Sequence, residues 1–296
     1  MRLAFYNPAA GSSWNARRLR RALDLLRQTS DVRLVETHKA GIDGQVRASL
    51  TPDVSAVFAC GGDGTVSDVA SGLAGSNVPL HIVPSGTTNV LAREFGIPLD
   101  PVKAVALASG PYETRRMQTW AVGGRRLVVG VGVGWDARLM YRASRVLKRH
   151  VGVLGLGPLS LGLIMAYDFP ELRVDGYTAD GTRLSAIGTS VLVSNVRYWS
   201  GGNPAIRAAD PTSEVLQVVV LERSSRLQLA AFWTLMTIPG GNPTGLAGVR
   251  MLQFRSLDIT AAGLTPIEAH VNGDPVEHTP LTIEPAESVL VAAGRC

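Results

Sequence analysis

Two glycine-rich segments, each placed where an apolar run gives way to helical spacing, contain the residues best suited to chemistry. The first follows the apolar run 54–59 and comprises Gly61, Gly62, Asp63, Gly64 and Thr65. Glycines let the backbone turn sharply and approach a ligand, and the helix that follows presents free N–H groups and partial positive charge. The pattern predicts a phosphate cradle. It matches neither the nucleotide P-loop, which ends in Gly-Lys-Ser/Thr, nor the dinucleotide fingerprint GxGxxG.

Asp63 is the unusual member of this first loop. A carboxylate would repel a phosphate unless a divalent cation bridges the two, or unless it accepts hydrogen bonds from the loop or from a ribose. The alternative is an ordinary turn aspartate that caps the helix expected to begin near Thr65. Both interpretations stay open at the level of sequence.

A second loop of the same kind follows the apolar run 80–83 and opens another helix; it contains Gly86, Thr87 and Asn89. The strand-like runs 3–6, 32–37, 54–59 and 80–83 alternate with helical segments, which predicts a parallel sheet with right-handed crossovers. Ligands bind beyond the carboxyl ends of the strands in such sheets. Asn7 and Thr37 follow the first two strands, so we expect four loops to meet at one edge.

The motifs GGDGT (61–65) and PSGTTNVLAR (84–93) together resemble the catalytic domain of the diacylglycerol kinase family, which includes bacterial soluble lipid kinases and sphingosine kinases. NPAAG (7–11) resembles the first nucleotide loop of that family, and VGVGWDA (131–137) resembles its later glycine-aspartate motif. The resemblance extends from Arg2 to about Val291. It implies an ATP-dependent kinase that uses Mg²⁺ and transfers the γ-phosphoryl group to a lipid hydroxyl, diacylglycerol by default. The implied nucleotide-binding residues are Asn7, Thr37, Gly61, Gly62, Asp63, Gly64, Thr65, Gly86, Thr87 and Asn89.

The resemblance also implies a general base. The family carries an Asp-Gly-Glu turn late in the chain, where this sequence reads Asn272-Gly273-Asp274. Asp274 keeps a carboxylate that is one methylene shorter, and with Asp63 it forms the expected catalytic pair. Because Asn-Gly is the commonest hairpin dipeptide, the alternative is that Asp274 is only a turn residue.

Other positions depart from the family pattern. Val90 stands where the family commonly has Asp, Gln118 replaces a usual aspartate, and Ser213-Glu214 replaces an Asp-Gly that supports a metal in some members. We assign no metal ligands for this reason. A nucleotide- or lipid-binding relative without turnover is therefore an alternative function, and an NAD kinase, which shares GGDGT, is a less favoured one.

Near residue 114 the sequence pattern changes from alternating strand-like and helical segments to strand-like runs joined by turns. Glycine-containing turns, Gly123-Gly124, Asp180-Gly181 and Asn272-Gly273, join strand-like runs, with helices expected near 137–149 and 226–237. We predict an α/β fold in which a parallel nucleotide-binding domain, residues 1–113, precedes a mainly antiparallel β-sandwich that binds the lipid, residues 114–296. The final strand could return to the first domain.

Charge and composition indicate the partners. The 296 residues carry 29 Lys and Arg against 24 Asp and Glu, a net charge of +5, and the 6% aromatic content gives no support for nucleic-acid binding. An uncharged segment, 151–167, follows a basic cluster formed by Arg142, Arg145, Lys148, Arg149 and His150. We expect a cytoplasmic protein, peripheral to the inner face of the membrane, that docks on anionic lipid, with ordinary core as the alternative for 151–167. The sequence leaves open whether the protein forms a homodimer. The two cysteines support neither a disulfide framework nor a zinc site.

Overall fold

The computed structural model describes residues 1–8, 13–29, 31–38, 40–147, 156–199, 202–222 and 225–294. The chain divides into two compact units. The first comprises Met1–Thr119 and Glu287–Cys296, and the second comprises Trp120–Ala286.

The first unit alternates strands and helices. Its strands are β1 (Arg2–Tyr6), β2 (Val32–Glu36), β3 (Ala56–Gly61) and β4 (Leu80–Pro84), and its helices are α1 (Ser13–Thr29), α2 (Ile42–Ser49), α3 (Asp63–Leu73), α4 (Val90–Glu94) and α5 (Pro101–Ser109). The strands are parallel in the order β2-β1-β3-β4, and Val291 pairs next to Leu80 as a further parallel neighbour. The predicted parallel α/β fold is confirmed.

Apolar spacing explains how the helices attach to this sheet. Leu19, Ala22, Leu23 and Leu26 recur at helical intervals along α1, and all four are buried. They belong to one core cluster with Phe58 of β3. At α5, the Asp100 carboxylate accepts hydrogen bonds from two amides of the first turn, which fixes where that helix begins.

The second unit is mainly antiparallel. Two strands, β5 (Glu113–Val122) and β16 (Leu281–Ala293), contribute residues to both units. The other elements of the second unit are β6 (Arg125–Leu127), β7 (Gly130–Val133), α6 (Trp135–Leu147), α7 (Leu156–Met165), β8 (Leu172–Tyr177), β9 (Arg183–Gly188), β10 (Ser190–Ser194), β11 (Leu216–Leu221), α8 (Arg226–Thr237), β12 (Val249–Phe254), β13 (Ser256–Ala261), β14 (Glu268–Val271) and β15 (Asp274–His278). One sheet has the order β12-β11-β10-β7-β14-β15, and the other contains β16-β13-β8-β9. A shared core of buried side chains from both sheets fills the space between them, so the predicted β-sandwich is confirmed.

The three predicted turn dipeptides all form hairpins. Gly123-Gly124 joins β5 to β6, Asp180-Gly181 lies between β8 and β9, and Asn272-Gly273 joins β14 to β15. Asn272 and Gly273 both adopt positive φ, 54° and 88°. That pair of angles is typical of a type I′ turn, which matches the natural twist of two paired strands.

Helices α6, α7 and α8 share a second core cluster with buried residues of β10 and β11. The uncharged segment 151–167 therefore contributes in part to ordinary core, because Ile164 and Tyr167 are buried. The same segment also exposes Leu161 and Met165. Residues 148–155, which include Lys148, Arg149 and His150, lie outside the described residues. Within the described part of the chain, no helix is long and apolar enough to cross a membrane.

His81 on β4 is a buried titratable group inside the first unit. Its ring stacks on Phe58 with centroids 4.8 Å apart and meets the edge of Tyr112 at 4.5 Å. Burial, and to a smaller extent the charge of Arg2, lowers the pKa of His81 to about 4 from 6.5. His81 is therefore neutral in the folded protein under conditions in which it would be protonated in the unfolded chain.

We predict that His81 makes the protein sensitive to acid. Between about pH 6.5 and pH 4 the unfolded chain binds a proton that the folded protein does not, so stability falls as the pH is lowered through this window and is fully present above it. His81→Phe should remove up to about 3 kcal/mol of that loss. Urea unfolding of both proteins at several pH values measures the difference. His38→Gln, at an exposed histidine, serves as the control, and an unchanged pH slope in His81→Phe would contradict the assignment.

Candidate functional site

Two glycine loops meet at the carboxyl ends of β3 and β4. These strands are parallel neighbours with Gly61 beside Pro84, and the Ser85 N–H donates to the Gly61 carbonyl at 2.8 Å. The backbones of Gly62 and Gly86 lie so close that a Cβ on Gly86 would stand 2.7 Å from the Cα of Gly62. Glycine is required at this contact because any side chain would separate the loops.

The N-terminus of α3 is open toward this edge. The N-cap residue is Gly62, which has no side chain that could cap the helix. The first helical bond runs from the Val66 N–H to the Gly62 carbonyl at 3.0 Å, so helix geometry gives the amides before Val66, including those of Gly64 and Thr65, no helical acceptor. A Cβ at Gly64 would meet no atom within 4 Å. The arrangement suits an anion bound at the first turn.

Asp63 links the two loops. Its Oδ1 accepts a hydrogen bond from the Val90 N–H at 2.6 Å, so it caps α4 rather than the helix in which it lies. Burial raises the pKa of Asp63, and hydrogen bonds from the amides at the start of α4 oppose that rise. The carboxylate is therefore a structural tie between the loops in addition to any role toward a ligand.

Asn89 closes the second loop on itself. Its side-chain Oδ1 accepts from the Gly86 N–H at 2.9 Å and its Nδ2 donates to the Gly86 carbonyl at 3.0 Å. Asn89 has a positive φ of 50°, which asparagine tolerates better than most residues. Thr87 is exposed in the same loop. Of the residues predicted in this loop, Asn89 acts within the loop and Gly86 forms the contact with Gly62.

Asn7 and Thr37 follow β1 and β2 at the same edge of the sheet. The Asn7 N–H donates to the Cys60 carbonyl at 3.3 Å, and the Thr37 N–H donates to the Tyr6 carbonyl at 2.9 Å. The Thr37 hydroxyl is buried and has no hydrogen-bond partner among the described residues. A buried hydroxyl without a partner costs about 1–3 kcal/mol.

The residues near the glycine loops do not fit a magnesium site built by the protein. No group of three or more His, Cys, Asp or Glu side chains is placed to hold a metal within the described ranges. The Asp63 Oδ1 is committed to the Val90 amide, and positions 90 and 118 are valine and glutamine. Glu214 forms instead a long ion pair with Arg255, at 4.0 Å.

Asp274 lies in the second unit, as the first residue of β15. Its carboxylate is 63% exposed and lies 3.7 Å from the Arg125 guanidinium. A buried pair lies near this turn, because the His270 Nε2 is 2.6 Å from the Asp136 Oδ2. Sequence reasoning missed this pair: Asp136 belongs to the VGVGWDA motif and His270 stands two residues before the Asn-Gly turn, but nothing in their spacing joins them.

Two family models match the chain. The diacylglycerol kinase catalytic domain matches residues 2–119, and the YegS C-terminal NAD kinase beta sandwich-like domain matches residues 129–292. The chain therefore belongs to the diacylglycerol kinase family, with both its catalytic domain and its β-sandwich domain. The predicted resemblance is confirmed.

Individual relatives agree with the family. The chain is 28% identical over 235 residues to a diacylglycerol kinase of Mycobacterium tuberculosis, an alignment that covers 77% of this chain and 72% of the relative. The crystal structure of a diacylglycerol kinase from Bacillus anthracis matches the fold with a TM-score of 0.69 at 20% identity, over 99% of this chain and 96% of that one. Yeast NADH kinase is more distant, with a TM-score of 0.52 and 10% identity over 100% and 84% of the two chains.

We predict that Asp63→Ala destabilises the first unit, because it removes the acceptor that caps α4. Loss of a helix cap costs about 0.5–2 kcal/mol. Chemical unfolding of the variant measures the loss, with Asp31→Ala, at an exposed aspartate, as the control. Asp63→Asn keeps a side-chain oxygen and should lose less than Asp63→Ala. Equal stability of wild type and Asp63→Ala would show that the cap contributes nothing.

Proposed function

We propose that this protein is an ATP-dependent lipid kinase, which transfers the γ-phosphoryl group of ATP to the hydroxyl of a diacylglycerol-like lipid. The observation that carries the proposal is the contact between the two glycine loops at the open N-terminus of α3. Family membership supports a kinase that acts on lipid, and the first unit supplies the nucleotide site. The second unit supplies the lipid site.

The proposed nucleotide site uses mainly backbone groups. The amides of Gly62, Gly64 and Thr65 bind phosphate oxygens, which are favoured at a helix N-terminus by unpaired N–H groups and by the helix dipole. Thr37, which follows β2 at the same edge of the sheet, is the further polar residue proposed to serve the nucleotide. Phosphoryl transfer depends chiefly on positioning and on electrostatic stabilisation, so a rigid cradle of this kind provides much of what the reaction needs.

Asp274 is the proposed general base. The lipid hydroxyl oxygen attacks the γ-phosphorus of ATP, its proton passes to the Asp274 carboxylate, and ADP departs with the electrons of the broken phosphorus–oxygen bond. Kinases of this kind usually use a divalent metal with the nucleotide, and the resemblance implies Mg²⁺. Because the described residues do not fit a magnesium site of their own, the proposed roles of Asp274 and of the cradle amides are independent of one.

Two other functions compete with this proposal. A binding protein without turnover is favoured by Val90 and Gln118, which stand where the family usually has carboxylates. An NAD kinase is less favoured, because the PSGTTNVLAR segment is more similar to lipid kinases. An assay that offers both a lipid and NAD to labelled ATP distinguishes the three functions. A lipid kinase labels the lipid, an NAD kinase labels NAD, and a binding protein labels neither.

A membrane-facing surface is proposed on the helices of the second unit. Leu161 and Met165 of α7 are exposed, and Leu227 of α8 is 80% exposed. The Arg226 Nε donates to the Met165 carbonyl at 2.9 Å, so the two helices present these apolar side chains together. The exposed Arg142 of α6 adds positive charge. Apolar side chains beside basic ones are typical of surfaces that dock on anionic lipid.

We predict that Arg142→Glu weakens binding to vesicles of phosphatidylglycerol and phosphatidylcholine by roughly fivefold or more, because each basic residue near an anionic surface contributes about 1 kcal/mol. Added salt should weaken binding further. Leu227→Ser should also weaken it, through loss of apolar contact. Co-sedimentation measures each change, and Arg183→Glu, on the β8–β9 hairpin, is the control. Binding that changes neither with salt nor with Arg142→Glu would show that this surface does not dock on anionic lipid.

We predict that purified protein transfers label from γ-labelled ATP to a lipid in mixed micelles that contain a panel of lipid alcohols. Asp274→Asn should lower kcat by about 10²–10⁴-fold and leave ATP binding intact, because only the proton acceptor is lost. Asp274→Glu should retain activity or increase it. Steady-state kinetics and calorimetry with ATP measure the two effects separately.

The phosphate cradle is tested separately, by ATP binding to a variant of Gly64. Gly64→Val should abolish ATP binding in a folded protein, because a Cβ at Gly64 enters open space at the helix N-terminus. Unchanged ATP affinity in that variant would refute the cradle. Unlabelled lipid together with intact ATP binding would instead favour the binding protein without turnover.

A further inference from the structure

A buried carboxylate–imidazole pair lies beneath the turn that carries Asp274. Asp136, near the start of α6, is 2% exposed, and His270 of β14 is 4% exposed. The His270 Nε2 and the Asp136 Oδ2 are 2.6 Å apart. Removing such a pair from water is costly, so the pair itself contributes little net stability. The proposed chemistry does not use either side chain. A role in placing other residues would explain why the pair is there.

The second nitrogen of the imidazole contacts the turn directly. The Gly273 N–H donates to the His270 Nδ1 at 3.2 Å. A backbone amide can only donate, so Nδ1 must carry a lone pair, and the proton of the neutral ring lies on Nε2, directed at Asp136. Asp136 therefore selects the one tautomer in which His270 can hold Gly273.

Asn272 ties the same turn to the adjoining chain. Its Oδ1 accepts from the amides of Val128 and Val129 at 3.0 and 2.8 Å, and its Nδ2 donates to the Arg126 carbonyl at 2.7 Å. An Asn-Gly type I′ turn forms without such help. The extra bonds fix where the turn lies relative to β6 and β7, and not merely its shape.

Gly132 makes room for the pair. A Cβ at this position of β7 would collide with the carboxylate of Asp136 and the imidazole of His270. The first glycine of VGVGWDA is thereby explained as a packing requirement of the buried pair. The motif and the turn are parts of one hydrogen-bonded arrangement.

We propose that Asp136 and His270 are positioning residues that hold the 272–274 turn and so fix the direction of the Asp274 carboxylate. Asp274 itself has an exposed side chain with a 3.7 Å ion pair to Arg125, so its placement depends on the backbone that carries it. The inference rests on the proposed function insofar as Asp274 is the base. The hold on the turn can be tested without turnover.

Two substitutions at His270 distinguish the roles of the two imidazole nitrogens. His270→Asn places an oxygen where Nδ1 was and can still accept from Gly273, whereas His270→Gln reaches toward Asp136 and leaves Gly273 without its acceptor. His270→Gln should lower kcat by about 10–100-fold, the usual effect of losing an outer-shell partner, with KM for ATP unchanged. His270→Asn should retain kcat within a few fold. His278→Asn, at an exposed histidine on the same hairpin, is the matched control.

The imidazole and the turn give readouts that need no activity. Nitrogen-15 correlation spectra of wild-type protein should show the Nε2–H tautomer for His270, and the Gly273 amide should exchange slowly with solvent. Exchange should accelerate in His270→Gln and stay slow in His270→Asn. An Nδ1–H tautomer, or equal exchange in both variants, would overturn the inference. If the spectra agree but wild-type protein labels no lipid, the proposed function fails while the hold on the turn stands.

Discussion

The close approach of the Gly62 and Gly86 backbones is the constraint on which the candidate nucleotide site depends. A Cβ on Gly62 would stand 3.3 Å from the Gly86 Cα, and a Cβ on Gly86 would stand 2.7 Å from the Gly62 Cα. With glycine at both positions, β3 and β4 end in loops that share one edge, and the first turn of α3 stays open. The hydrogen bond from the Val90 N–H to the Asp63 carboxylate is a second link between the two loops.

That bond also bears on the departures from the family. Val90 is buried, and its amide, not its side chain, takes part in the site. The chain therefore keeps the hydrogen-bonded link between the loops while it has valine at a position where the resemblance to the family implies a carboxylate. The geometry of the candidate site is made by backbone groups, so it does not depend on an acidic side chain at position 90.

The second unit achieves rigidity by other means. A short hairpin at a sheet edge is mobile unless its turn is tied down, and here Asn272 and His270 supply the ties through side chains. The buried Asp136 gives direction to His270 in the way that carboxylates orient imidazoles in many sites. Asp274, the proposed general base, depends on such support, since its own exposed ion pair with Arg125 contributes little.

The sequence alone determined the parallel α/β class, the sandwich, the three hairpins and the positions of both glycine loops. Each of these follows from local periodicity and turn chemistry, which are written in neighbouring residues. Only the tertiary structure decided that Asp63 caps α4, 27 residues away, and that Asp136 meets His270 across 134 residues. Such partners depend on strand register and helix placement. No spacing in a single sequence encodes which buried donor will face which acceptor.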